Sequence, residues 1–323
     1  MQEFYDCPKP FSDWLESQWS IKLERVRRDI SIEGSPERTL SREVIEDKNG
    51  QLLLLEKFGK NRYALRHQVA QTVNYINSNG LLQAAAYKKA VNGEFLPFFK
   101  GACFQISKFH TSTAIERPQY LQSRDIGDSF ARFVIRLRKT SKGIGNVITP
   151  EPFSIKKYIY TLFRQMKDHN PDVHELFLPV LSFLEKSFMD VHDDLPIAFC
   201  HGDLHPLNVI WDDFRIKAVI DWEFAGFKPD VYDAANLVGC AGIENPEGLG
   251  QPMVMTFLDK LKKDCFFSKK GWHYFCEYLI ALRFAWLSEW LRKKDTQMIE
   301  MEAAFLKLLI DNIDLLKTGW GIE

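Results

Sequence analysis

HGDLHPLNVIW (His201–Trp211), followed by AVIDWE (Ala218–Glu223), is the stretch on which the reading of the chain turns. It places two histidines, two aspartates, an asparagine and a glutamate among short apolar runs. One reading is a metal cluster. His201, Asp203 and His205 alternate, so on a strand they would share a face and offer zinc two imidazoles and a carboxylate. Pro206 and the turn-like GDLHPLN speak for a loop instead, and no other His or Cys cluster stands ready to complete a shell. The second reading takes both segments together. Asp203 precedes Asn208 by five residues, and a short apolar hairpin then delivers Asp221. Phosphoryl transfer needs this layout: an aspartate to accept a hydroxyl proton, then an asparagine and a second aspartate to hold Mg²⁺ on nucleotide phosphates. Amide and carboxylate oxygens are hard ligands, suited to Mg²⁺ rather than zinc.

Around this centre the chain changes character. Up to about residue 107 it reads as strands with one helix. LSREVIED (40–47) and QLLLLEKF (51–58) form a hairpin about the turn DKNG. EFLPFF and ACFQISKF read as two further strands. Between the pairs, Leu65, Val69, Val73 and Ile76 share one face of a helix that Gly80 caps. Beyond residue 108 helical periodicity dominates, in 123–139, 154–168, 173–189, 253–263, 271–293 and 296–317, interrupted only by the short apolar runs beside the opening motif. The expectation is an α+β chain of two lobes: a small β-rich lobe over 1–107 and a larger helical lobe over 108–323 that carries the loop.

Composition narrows the classes. The 323 residues are 46% hydrophobic, with 25 Phe and a net charge of −1, which argues against a nucleic-acid binder that works through a basic surface. The N-terminus lacks a basic and then apolar leader, and no run of about twenty apolar residues could span a bilayer. Six scattered cysteines without CxxC pairs read as reduced thiols, so a cytoplasmic protein is expected, with no membrane insertion. The sequence does not specify an oligomeric state.

HGDLHPLNVIW and AVIDWEFAGFKPDVYDAANL (218–237) resemble the aminoglycoside phosphotransferase and choline kinase-like family. The resemblance implies a protein-kinase-like two-lobe fold and ATP- and Mg²⁺-dependent phosphorylation of hydroxyls on small molecules. Asp203 then stands in the place of the catalytic base, and Asn208 and Asp221 match the metal positions. Asp233 matches an aspartate that braces the catalytic loop. His201 reads as a residue that holds the loop, and His205 as one facing substrate or solvent. Glu223 is open between a metal contact, a substrate contact and a surface charge.

Elsewhere the family pattern is thinner. The only candidate cover for the phosphates is IEGSPERT (32–39), where amides around Gly34, Ser35 and Glu37 could meet an anion. Lys57 on the return strand is the nearest fit to a phosphate-binding lysine, yet the helix over 61–79 holds no Glu or Asp to pair with it. Gln68 is the closest substitute. Ile106, in the segment leading to His110, would offer backbone groups to the base. In HYFCEYLIALRFAWLSEWL (273–291), Arg283 falls on or beside an apolar stripe and needs a partner, either an internal acid or an anionic substrate group. Trp286, Trp290 and Glu289 could instead cradle a cationic amine. The expected function is a small-molecule kinase acting on an amino alcohol, a homoserine-like compound or a sugar. The alternatives are a catalytically silent nucleotide- or partner-binding module and an aminoglycoside-modifying phosphotransferase.

Overall fold

The computed structural model describes residues 9–32, 38–149 and 152–322. The chain divides into two compact units. The first comprises Met1–Ser112 with the short segments Gly143–Ile148 and Lys217–Glu223; the second holds the remainder.

In the first unit, helix α1 (Lys9–Trp19) is followed by strands β1 (Leu23–Val26), β2 (Ser41–Asp47) and β3 (Leu52–Gly59), helix α2 (Tyr63–Ser78), and strands β4 (Phe98–Phe99) and β5 (Ala102–Lys108). The strands form one antiparallel sheet in the order β1-β2-β3-β5-β4. The DKNG turn closes as expected: Asp47 Oδ1 accepts from the amides of Asn49 (2.9 Å) and Gln51 (2.8 Å), and Gly50 takes φ +78°. Helix α2 ends at Gly80, whose φ of +105° lets the Leu81 amide reach back to the Ile76 carbonyl at 3.2 Å.

Strand alternation sorts the side chains between two cores. Leu53, Leu55, Phe104 and Ile106 face α1, packing on Phe11, Leu15 and Trp19. Phe58 and Cys103 project from the opposite face and pack on Ala70 of α2. The periodicity of KPFSDWLESQW, apolar at 11, 15 and 19, makes α1 a lid for the first face, a second helix where the sequence led us to expect only one. The strand expected over EFLPFF shortens to Phe98–Phe99.

The second unit is helical: α3 (Arg124–Thr140), α4 (Ile155–His169) and α5 (Pro171–Ser187) precede, and α7 (Pro252–Lys263), α8 (Lys269–His273), α9 (Phe275–Lys293), α10 (Thr296–Asp311) and α11 (Ile313–Trp320) follow, a block of short strands. In that block β6 (Ile197–Cys200) pairs antiparallel with β9 (Gly226–Pro229), and β7 (Val209–Asp212) pairs with β8 (Arg215–Val219), whose last residues count with the first unit. Helix α6 (Tyr232–Glu244) leads away from β9. Helix α9 is buried on every side from Phe275 to Phe284 and is the axis of this unit. Among the described residues no helix is long and apolar enough to cross a membrane.

Candidate active site

The loop joining β6 to β7 carries HGDLHPLN. Strand β6 hands the chain to His201, which is fully buried, and Gly202 turns it at φ +84°. Only glycine fits here, since a Cβ would lie 2.2 Å from the Phe224 carbonyl oxygen. Asp233, in the first turn of α6, accepts the backbone N–H groups of His201 (2.7 Å) and Gly202 (2.8 Å), one on each carboxylate oxygen. The helix N-terminus favours a negative group at that position, while burial pushes the Asp233 carboxyl up to about 6 against those two bonds. His201 Nδ1 accepts the Asp203 N–H at 3.2 Å, so His201 works inside the loop.

Asp203 is thereby presented by a braced turn. Asn208, at the end of a single 3₁₀ turn begun by Pro206, donates from Nδ2 to both the Asp203 carbonyl and Asp203 Oδ2, each at 2.9 Å. His205 Nε2 stands 3.5 Å from Asp203 Oδ1, and its ring meets Trp286 edge-on at 5.8 Å. Burial raises the Asp203 pKa, but the hydrogen bonds from His205 and Asn208 and the fields of His205 and His201 outweigh it, and the carboxyl sits below its ordinary 3.8. It is a carboxylate at neutral pH, the form that accepts a proton.

Asn236, which sequence reasoning missed, completes the brace together with Trp286. Asn236 donates to the Leu204 carbonyl (3.1 Å) and accepts from Trp286 Nε1 (3.1 Å), tying α6 and α9 to the loop. The only signal in the sequence was the spacing of Asn236 from Asp233, three residues along one helix face.

The donors fit a hard cation. With Nδ2 of Asn208 committed to Asp203, its remaining side-chain atom is an oxygen, and Asp221 is a carboxylate. Among the described residues no group of three or more His, Cys, Asp or Glu is placed to hold a metal. A cation held by few protein oxygens brings most of its ligands with it, as Mg²⁺ does on phosphates.

Asp221 lies in the segment counted with the first unit and takes φ +58°. A left-handed backbone costs a residue with a Cβ about 1 kcal/mol or more, though aspartate tolerates it better than most. Two residues on, Glu223 is buried and accepts from Arg62 (2.7 Å), Arg38 (3.3 Å) and Arg66 (3.3 Å). Its surface-charge reading is excluded by that burial. Arg66, on the buried face of α2, also donates to Glu56 of β3 (3.2 Å), Gln105 (2.7 Å) and the Tyr87 hydroxyl (3.2 Å), and lies 4.2 Å over the Phe58 ring. Burial raises the Glu56 carboxyl, and the charges of Glu223 and Asp221 add to it against Arg66 and Arg42. Asp221 is thus within electrostatic reach of this cluster.

The remaining nucleotide-side expectations fare unevenly. Glu56 faces α2, so by strand alternation Lys57, its neighbour, projects from the α1 face of the sheet. Gln68 is exposed. The Ile106 side chain is fully buried in the α1-side core, and its carbonyl accepts the Lys88 amide at 2.7 Å. Gly34, Ser35 and Glu37 lie outside the described residues. Arg283 has the internal partner: its Nε donates to Glu302 at 3.0 Å, both side chains are buried, and Trp290 Nε1 donates to the same carboxylate at 3.2 Å. Glu289 is held by Arg292 and Lys293, with its carboxyl drawn down to about 2 chiefly by the Arg292 hydrogen bond. It is not set aside for an amine.

Over residues 58–257 the chain matches the family model of the phosphotransferase enzyme family, APH. Among solved structures, the amicoumacin kinase hAmiN in complex with AMP-PNP, Ca²⁺ and Ami superposes with a TM-score of 0.62 at 15% identity, covering 95% of this chain and 94% of that one. The macrolide 2'-phosphotransferase MphH from Brachybacterium faecium gives 0.56 at 14%, covering 92% and 96%. An ethanolamine kinase of Plasmodium vivax gives 0.55 at 14%, covering 90% and 82%. At such identity the likeness concerns the fold. A search of curated proteins returned no match. The matched segment takes in the loop between β6 and β7, Asp221 and Asp233, and the chain belongs to the phosphotransferase enzyme family.

Proposed function

We propose that this phosphotransferase moves the γ-phosphoryl group of ATP to a hydroxyl of a small molecule, with Mg²⁺ as the metal. The observation that carries the proposal is Asp203: an ionised carboxylate, fixed by Asn208 and His205 on a loop whose amides are anchored to Asp233. Asp203 orients the acceptor hydroxyl and takes its proton as the oxygen bonds to the γ-phosphorus and the bond to the β–γ bridging oxygen breaks, releasing ADP. Asn208 and Asp221 are the proposed metal ligands. When bound, Mg²⁺ neutralises charge gathering on the phosphoryl oxygens. Asp233 keeps the loop in register, so that Asp203 meets the hydroxyl without a reorganisation cost.

The nucleotide and divalent ion in the amicoumacin kinase complex support the reading. The acceptors named for the similar structures include an amino alcohol and antibiotics. An amino alcohol, a homoserine-like compound or a sugar is the acceptor class we propose. The helix without an acid favours a silent nucleotide-binding module; against it, Arg66 of that helix pairs with Glu56 of the strand, an ion pair of opposite polarity.

The test is transfer of labelled γ-phosphate to a panel of small alcohols, sugars and aminoglycosides by the wild-type chain and Asp203→Ala. The substitution should lower turnover by roughly 10²–10⁴-fold with nucleotide affinity nearly intact. Equal turnover in the two proteins would remove Asp203 from the mechanism.

A further inference from the structure

Glu223 is a buried carboxylate that the proposed transfer does not use, and its surroundings say what it does. The short stretch around Asp221 is pinned on both sides. Before it, the Val219 amide donates to the Gln83 carbonyl at 2.8 Å, and Val219 forms a β-bridge with Ala84. After it, Trp222 Nε1 donates back to the Val219 carbonyl at 2.9 Å. The next residue, Glu223, engages Arg62, just before α2, and Arg66 within it: Oε2 accepts from Arg62 and Oε1 from Arg66. Arg38 adds a further bond to Oε2. Between these anchors stands the left-handed Asp221.

We propose that Glu223 is a positioning residue for Asp221, and that the chain Glu56–Arg66–Glu223 joins sheet, helix α2 and the aspartate turn with the polarity of the usual strand-lysine and helix-acid pair reversed. This rests on the metal role proposed for Asp221. The strand contributes the carboxylate, Glu56, and the helix contributes the cation, Arg66. A second carboxylate, Glu223, carries the link to the residue that needs placing. Arg66 cannot swing freely, because Glu56, Gln105 and Tyr87 fix its fork from one side and the Phe58 ring lies beneath it. The position of α2 is therefore transmitted to the backbone at Asp221. Both oxygens of Glu223 accept guanidinium bonds, so its negative charge is already answered by Arg62, Arg66 and Arg38.

Positioning of Asp221 and direct service to the cation give opposite signs when Arg62 is removed. Arg62 is partly exposed, which makes Arg62→Gln the milder variant for the fold. ATP binding is measured by calorimetry with Mg²⁺ and with EDTA, for the wild type, Arg62→Gln and Glu223→Gln, with thermal unfolding as a check on folding. The positioning role expects both variants to lose about 10-fold of the Mg²⁺-dependent gain in ATP affinity, as removal of groups that orient a metal ligand does, with affinity in EDTA within twofold of wild type. An unchanged or larger gain in Arg62→Gln overturns the proposal, because a Glu223 released from Arg62 would then be serving the cation itself. An equal loss in EDTA overturns it too, by assigning Arg62 to the phosphates. A wild-type chain that binds no ATP at all would fail at the proposed function, a result distinct from either.

Discussion

At the scale of single residues, the ionisation of Asp203 is the quantity on which the proposed chemistry rests. Burial works against the carboxylate, and His205 is the first group that restores it. Because the folded value is lowered, ionisation of Asp203 contributes stability above its ordinary 3.8, and that contribution is lost as pH falls through the lower folded value. Activity follows the same sign. The acid limb that Asp203 gives to kcat should lie below 3.8 in the wild type and move upward in His205→Ala, which removes the hydrogen bond and the nearby charge. A pH profile of both proteins checks this; coincident profiles would deny His205 that role. The sequence singles out Asp203, Asn208 and Asp221 for the proposed roles because a carboxylate, an amide and a second carboxylate at that spacing have few other uses. Which of Glu56 and Lys57 meets α2 was not legible. Adjacent strand residues point to opposite faces, and the sequence does not say which face the helix covers.

At the scale of elements, a helix buried on every side shows no single apolar face in its sequence. Helix α6 is buried from Tyr232 to Gly239, so no 3.6-residue contrast marks it, and its segment had been read only for Asp233. Helix α9 shows the same effect: its expected stripe is an all-round core element, and the stray charge within it is answered by α10. Arg283 and Glu302 form an ion pair at the α9–α10 contact, with Trp290 on the same carboxylate. Removing one partner leaves the other buried and uncompensated. Glu302→Gln is therefore expected to destabilise the protein by about 3–5 kcal/mol, whereas Arg283→Met with Glu302→Met should recover most of that loss. Chemical denaturation of the single and double variants measures it. A double variant as unstable as the single would show that the helix contact needs the ion pair itself.

At the scale of the whole molecule, the proposed function makes stability depend on ligand. A nucleotide that binds only the folded chain should stabilise it by RT ln(1 + [L]/Kd), about 2.7 kcal/mol at a hundredfold excess over Kd. Thermal unfolding with ATP and Mg²⁺ should show a raised midpoint that falls back when EDTA is added. A midpoint unmoved by ATP with Mg²⁺ would count against nucleotide binding. By itself the sequence determined the α+β class, most helix positions and the polar residues of the catalytic loop. Each of these is written locally, in a period of two or 3.6 and in residue types that only certain chemistry needs. Tertiary structure alone decided the brace of Asn236 and Trp286, the internal partner of Arg283, and the arginines gathered on Glu223. Those contacts join residues from 19 to 185 positions apart, and a chain specifies such a partner only through the packing that brings the two together. Burial then makes the partner obligatory, because a charge without one could not remain there.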